Sequence, residues 1–152
     1  MRTLDQWFSE YAVSHQNETN QLIHYICVPA IFFSIVGLLM SIPPGPLTGI
    51  FPMYIPFLEN WAVVVLILVL LFYMRLSISM GIKVLLFAAL CIAGNYFIAQ
   101  AAELWMVSVI IFAVAWIGQF YGHKVEGKKP SFLKDIQFLL IGPAWVIKKV
   151  FG

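Results

Sequence analysis

Four apolar runs of about 18 residues or more, at 22–42, 61–79, 82–100 and 104–121, leave this chain few ways to fold. Lipid offers no partner to an exposed backbone N–H or C=O, so a run of that length crosses a bilayer as a helix. The sequence therefore reads as an all-α integral membrane protein of four transmembrane helices, with residues 1–152 forming a single membrane domain. Composition agrees: 62% of the residues are hydrophobic and 11% charged, far from soluble globular usage. A formal net charge of +2 is too small an excess to suggest nucleic acid as a partner. Cys27 and Cys91 fall inside apolar runs, where a thiol acts as a small buried hydrophobe. The first twenty residues mix charges with apolar side chains and hold no continuous apolar core, so the first span, not a cleaved signal peptide, is expected to direct insertion.

Charge sets the expected orientation. An even number of spans puts both termini on one side, together with all nine basic residues, whereas the two opposite loops carry only Glu59 and Glu103. By the positive-inside rule both termini are cytoplasmic. The membrane is then the inner membrane of a bacterium or the endoplasmic reticulum of a eukaryote. The segment 43–56 between the first two spans holds five of the eight prolines and is expected at the interface rather than in a helix.

The flanks read as surface elements. Leu4, Trp7, Phe8 and Tyr11 recur at helical spacing behind Thr3-Leu4-Asp5-Gln6, a capping-box pattern, which predicts a short amphipathic helix over 4–13 lying on the membrane. Near the C-terminus, Asp135 and Lys148 bracket only twelve residues interrupted by Gly142-Pro143, too few to cross. With Phe132, Ile136, Leu139, Pro143, Ile147 and Val150 near one helical face, this stretch is expected to be interfacial or re-entrant.

Two polar clusters mark the cytoplasmic side. In the first, Asn17 is a candidate N-cap, and Asn17, Asn20 or Gln21, and His24 share a face of the entering helix. Pro29 should loosen that helix near Tyr25. His15 precedes His24 by nine residues, a spacing that points the rings apart on one straight helix, so they converge only if His15 lies in the connection before it. In the second cluster, Gln119, His123 and Glu126 are four and three apart on one helical face, beside the small pair Gly118 and Gly122. Three histidines and a carboxylate suit iron, zinc, copper or nickel, and such a set with open positions is how non-haem Fe(II) oxygenases bind O2 and substrate. Against this stand ordinary roles: interfacial histidines, and Glu126 with Lys128 and Lys129 as a solvated charge run. Asn95 and Gln100 in the third span are expected to hydrogen-bond neighbouring helices.

With their contexts, His15-Gln16-Asn17, Asn20, His24 and Pro29 in one and Gln119, Gly122-His123, Glu126, Pro130 and Gly142-Pro143 in the other, the clusters resemble the family of membrane 2-hydroxy fatty acid dioxygenases. The similarity covers nearly the whole chain. It implies an enzyme that uses Fe(II) and O2 to shorten long-chain 2-hydroxy fatty acids by one carbon, as the fungal members do with acids from phytosphingosine breakdown. The family's required histidines carry over onto His15, His24 and His123 as metal ligands, with no 2-oxoglutarate needed because the substrate supplies the electrons. Glu126, a fourth catalytic candidate on spacing alone, and Asn17, Asn20 and Gln119 are expected around the ligands or substrate, with Lys124, Lys128 or Lys129 drawing in the carboxylate. The serious alternative is a non-enzymatic membrane lipid-binding or scaffold protein, which would bind no metal and tolerate alanine at the histidines.

Overall fold

The computed structural model describes residues 1–152 and is all-helical: α1 (Leu4–Ala12), α2 (Glu18–Ser41), α3 (Trp61–Leu76), α4 (Ile78–Ala101), α5 (Leu104–Glu126) and α6 (Phe138–Phe151), with short 3-10 turns at Gly45–Leu47 and Ser131–Leu133. Helices α2, α4 and α5 are long and apolar enough to cross a membrane, whereas α3, with 16 residues, is shorter. Large apolar side chains on these helices lie open, among them Leu68, Leu90, Phe97, Ile110 and Ile117, a surface suited to lipid rather than water. The chain divides into two compact units, Met1–Phe32 with Ala113–Gly152, and Phe33–Phe112.

In the second unit, helix ends differ from the predicted spans at 61–79 and 82–100. Ser77 is the cause. Its extended backbone ends α3 at Leu76, and its side chain accepts the Met80 N–H as the N-cap of α4, so one residue joins the two helices. At the other end of α3, Asn60 caps the helix through Val63 N–H. The proline-rich loop is held by Glu59, a buried carboxylate that accepts the N–H groups of Gly49 at 2.8 Å and Ile55 at 2.6 Å. Asn95 donates to the Phe33 carbonyl at 3.0 Å, the interhelical bond expected of an intramembrane amide.

In the first unit, the capping box at Thr3 and Gln6 is complete and starts α1. The apolar face of α1 does not lie open to a membrane surface. Trp7, Phe8 and Tyr11 are buried, and aromatic contacts of Trp7 and Tyr11 with Phe138, and of Tyr11 with Trp145, seat the helix on α6. Helix α6 differs in turn from the expected one-faced segment. Residues Ile141 through Ile147 are buried without a break, while Ile136, Leu139 and Val150 are exposed. A run buried on every side has no amphipathic period, so the expected face mixes buried Pro143 and Ile147 with these exposed residues. Gly142 permits the close fit, since a Cβ there would stand 3.1 Å from Tyr11 Oη.

Candidate metal centre

The turn between α1 and α2 carries His15, so the nine-residue spacing to His24 no longer drives the two rings apart. Asn17 opens α2 by accepting the N–H groups of Thr19 at 2.9 Å and Asn20 at 3.3 Å. One turn on, His24 points inward from α2, and His123 meets it from the last turn of α5. The approach of α5 depends on glycines: a Cβ on Gly118 would stand 2.6 Å from Cys27 Sγ, and one on Gly122 would strike Asn20 Oδ1. The small pair read from the sequence thus has a packing role.

His15, His24 and His123 are all buried, and their candidate ligand nitrogens lie within 4.8 Å of one another. Their rings stand nearly perpendicular, at 80° to 87°, with centroids 4.3 to 5.1 Å apart. Hydrogen bonds fix two tautomers. His15 Nδ1 is 2.6 Å from the Tyr11 carbonyl and His24 Nδ1 is 2.8 Å from the Asn20 carbonyl. A carbonyl only accepts, so in each ring Nδ1 carries the proton and Nε2 presents a lone pair. These two Nε2 atoms face each other at 2.9 Å. Two lone pairs at that separation repel unless a cation or a proton lies between them. A proton is disfavoured, because burial pushes the His15 pKa down to about 4, outweighing the bond to Tyr11 and the more distant Glu126 carboxylate. A metal cation meets the need: imidazoles bound at about 2.0–2.1 Å and at right angles have nitrogens about 2.9 Å apart. His123 Nδ1 is buried with no hydrogen bond of normal geometry, although the Lys128 backbone lies close by.

Around the three histidines lies a further set of polar residues. Glu126 is outside the group of three; its carboxylate accepts the N–H groups of Gln16 at 2.8 Å and Asn17 at 2.7 Å, and the Asn20 amide at 3.2 Å. It ties the end of α5 to the turn bearing His15. Asn20, fully buried, also donates to the Ser14 carbonyl at 3.2 Å, and Gln21 donates to the His15 carbonyl at 2.6 Å. Gln119 lies one turn before His123 with a buried, unpartnered Oε1. Lys124 is exposed. Sequence reasoning missed Tyr11 and Trp145. Tyr11 stacks on His15 at 3.9 Å, and Trp145 packs 5.3 Å from the same ring. Tyr11 stands four residues before His15, but its place in an amphipathic pattern already accounted for an aromatic ring.

The fold and site together define a class: a protein of long apolar helices carrying a buried three-histidine centre able to hold a metal ion. Within that class the chain belongs to the 2-hydroxy-palmitic acid dioxygenase Mpo1-like family, whose model matches residues 1–152. No curated protein and no solved structure is significantly similar.

Proposed function

We propose that the protein is a non-haem Fe(II) dioxygenase that converts long-chain 2-hydroxy fatty acids to acids one carbon shorter. The observation that carries this reading is the pair of facing imidazole lone pairs, 2.9 Å apart, in a chain of this family. His15, His24 and His123 would hold the metal. Bound Fe(II) would supply O2 activation and a chelation point for the carboxylate and hydroxyl of the substrate. The stoichiometry closes without another reductant: the 2-hydroxy acid and one O2 give the shorter acid, CO2 and water.

The chain's own residues account for the rest of the site. The Tyr11 and Asn20 carbonyls keep His15 and His24 in the tautomer that leaves Nε2 free, and they make both rings better donors. Glu126 acts as a positioning residue through the Gln16 and Asn17 N–H groups rather than as a ligand. The unpartnered Gln119 Oε1 is an acceptor suited to the substrate hydroxyl, and Lys124 offers a positive charge near the approach to the site. The acyl tail would run between the apolar helices, with both termini and the site at the cytoplasmic side.

Anaerobically purified protein given Fe(II), O2 and 2-hydroxypalmitate should release the acid one carbon shorter, with no requirement for 2-oxoglutarate. Palmitate, which lacks the hydroxyl, should not react. H24A and H123A should each abolish turnover and bring metal content close to zero while helix content persists. Full turnover by chelator-stripped protein, or unaltered activity in both variants, would refute the proposal.

A further inference from the structure

Beside the histidines, and separate from them, lies an open cleft of about 500 Å³ between the end of α1 and the segment that follows α5. Lys128, Lys129 and Lys134 give it its charge, and Val13, Leu133 and Phe138 give it an apolar wall. Glu10 also lines the cleft, but neither it nor Asp135 forms an ion pair with these lysines. Glu10 pairs with Arg2 at 3.1 Å and Asp135 with the same arginine at 3.3 Å. Lys128 donates to the Val13 carbonyl at 3.2 Å, which fixes its ammonium at the rim.

The cleft cannot be the mouth through which a substrate carboxylate reaches the metal ligands. Its wall includes Ser14, whose hydroxyl is 3.1 Å from His15 Nδ1, while the lone pair of that ring projects from Nε2 on the far edge. An anion among the lysines therefore stands behind His15. The surrounding chain indicates its source. Leu133 is 62% exposed and Ile136 72% exposed, flanking Lys134 in a segment that begins just past the end of an apolar helix. Apolar side chains that reach outward beside lysines are the pattern of a segment set into the headgroup layer. At that depth the abundant anion is a phosphodiester, and a cleft of this volume is ample for one with its glycerol.

We propose that this cleft is a binding site for the headgroup of an anionic phospholipid, its phosphate against Lys128, Lys129 and Lys134 and its glycerol and upper acyl carbons along Val13, Leu133 and Phe138. The Ser131 and Ser14 hydroxyls, bonded to each other, connect the cleft to His15, so the lipid braces the turn that carries His15. The proposal does not depend on the metal or the reaction.

The test is calorimetric titration of the full-length protein in neutral detergent, with and without metal, using dioctanoyl phosphatidylglycerol, dioctanoyl phosphatidylcholine and inorganic phosphate. The glycerol lipid should bind saturably, and the choline lipid and free phosphate far more weakly. K128Q/K129Q/K134Q should weaken binding roughly a hundredfold at low salt. The corresponding triple arginine variant should retain it, and K148Q/K149Q, which removes charge on α6, should leave it unchanged. Equal binding of both lipids, phosphate binding as tightly as the lipid, undiminished binding by the glutamine variant, or displacement by an equal concentration of 2-hydroxyoctanoate would each overturn the proposal.

Discussion

His15 and His24 each give one nitrogen to a backbone carbonyl, and this decides what the other nitrogen can do. The sequence leads to the expectation that the three histidines share one side of the membrane. It does not reveal which ring atom faces which, because that depends on where the chain turns between Ala12 and Glu18. Glu126 illustrates the same limit. Spacing puts it on the face of His123, but only the fold shows its oxygens taken by the N–H groups of Gln16 and Asn17. In E126Q one of those N–H groups would meet an amide NH2 instead of an acceptor. Metal affinity, measured by titration of stripped protein, should then fall about 10- to 100-fold with helix content unchanged. Unchanged affinity would remove the positioning role. Acid should act through His15 in a definite direction. Its folded pKa of about 4 lies below the usual 6.5, so the metal-free protein is favoured above pH 6.5. Below that the unfolded chain takes up a proton that the folded one refuses, and stability is lost as pH falls from 6.5 through about 4. Thermal unfolding in detergent across that window should show a falling midpoint, and H15Q should flatten the slope.

Elements proved legible where one local rule governs them. Thr3 and Gln6 start α1, Asn17 starts α2, and the joint at Ala102 between α4 and α5 is as tight as its sequence suggests. Two elements depart from their expected form, each for its own reason. Ser77 ends one helix and begins the next inside a nearly continuous apolar stretch, so hydropathy places the break several residues late. Helix α6 is enclosed over residues 141–147, and the one-faced period expected of an interfacial segment does not apply there. Gly122 shows how closely α5 and α2 depend on each other. Ala is the better helix former, yet its Cβ would strike Asn20 Oδ1, and Asn20 is held by Ser14 and Glu126. G122A should therefore destabilise the protein by about 1–3 kcal/mol, as overpacking does. In an N20A background the same substitution should cost clearly less, because the clashing amide is gone. Equal costs in the two backgrounds, read from thermal unfolding, would show that Gly122 is not constrained by Asn20.

For the whole molecule the question is how often the chain crosses the bilayer. Helix α3 has 16 residues, a length of about 24 Å against a hydrocarbon core of about 30 Å. Counting by length alone would leave three crossings, by α2, α4 and α5. Charge does not decide between three and four. With three crossings, eight of the nine basic residues still share a side, Arg2 being the exception. Proximity favours an even number, and we propose four. An odd number of crossings would put the turn bearing His15 and the end of α5 bearing His123 on opposite faces of the membrane, yet their ligand nitrogens lie within 4.8 Å. It would also part α1 from α6, although Tyr11 packs on Trp145 at 5.3 Å. An even count satisfies both contacts, and α3 can complete it by local thinning of the bilayer and by Arg75 in its last turn reaching for the headgroups. Reporters fused at either terminus should accordingly be cytoplasmic, and one inserted at Thr48 should be external. Termini on opposite sides would exclude the four-span arrangement and would leave the three histidines unable to share one ion. A Thr48 reporter on the same side as both termini would show that α2 does not cross.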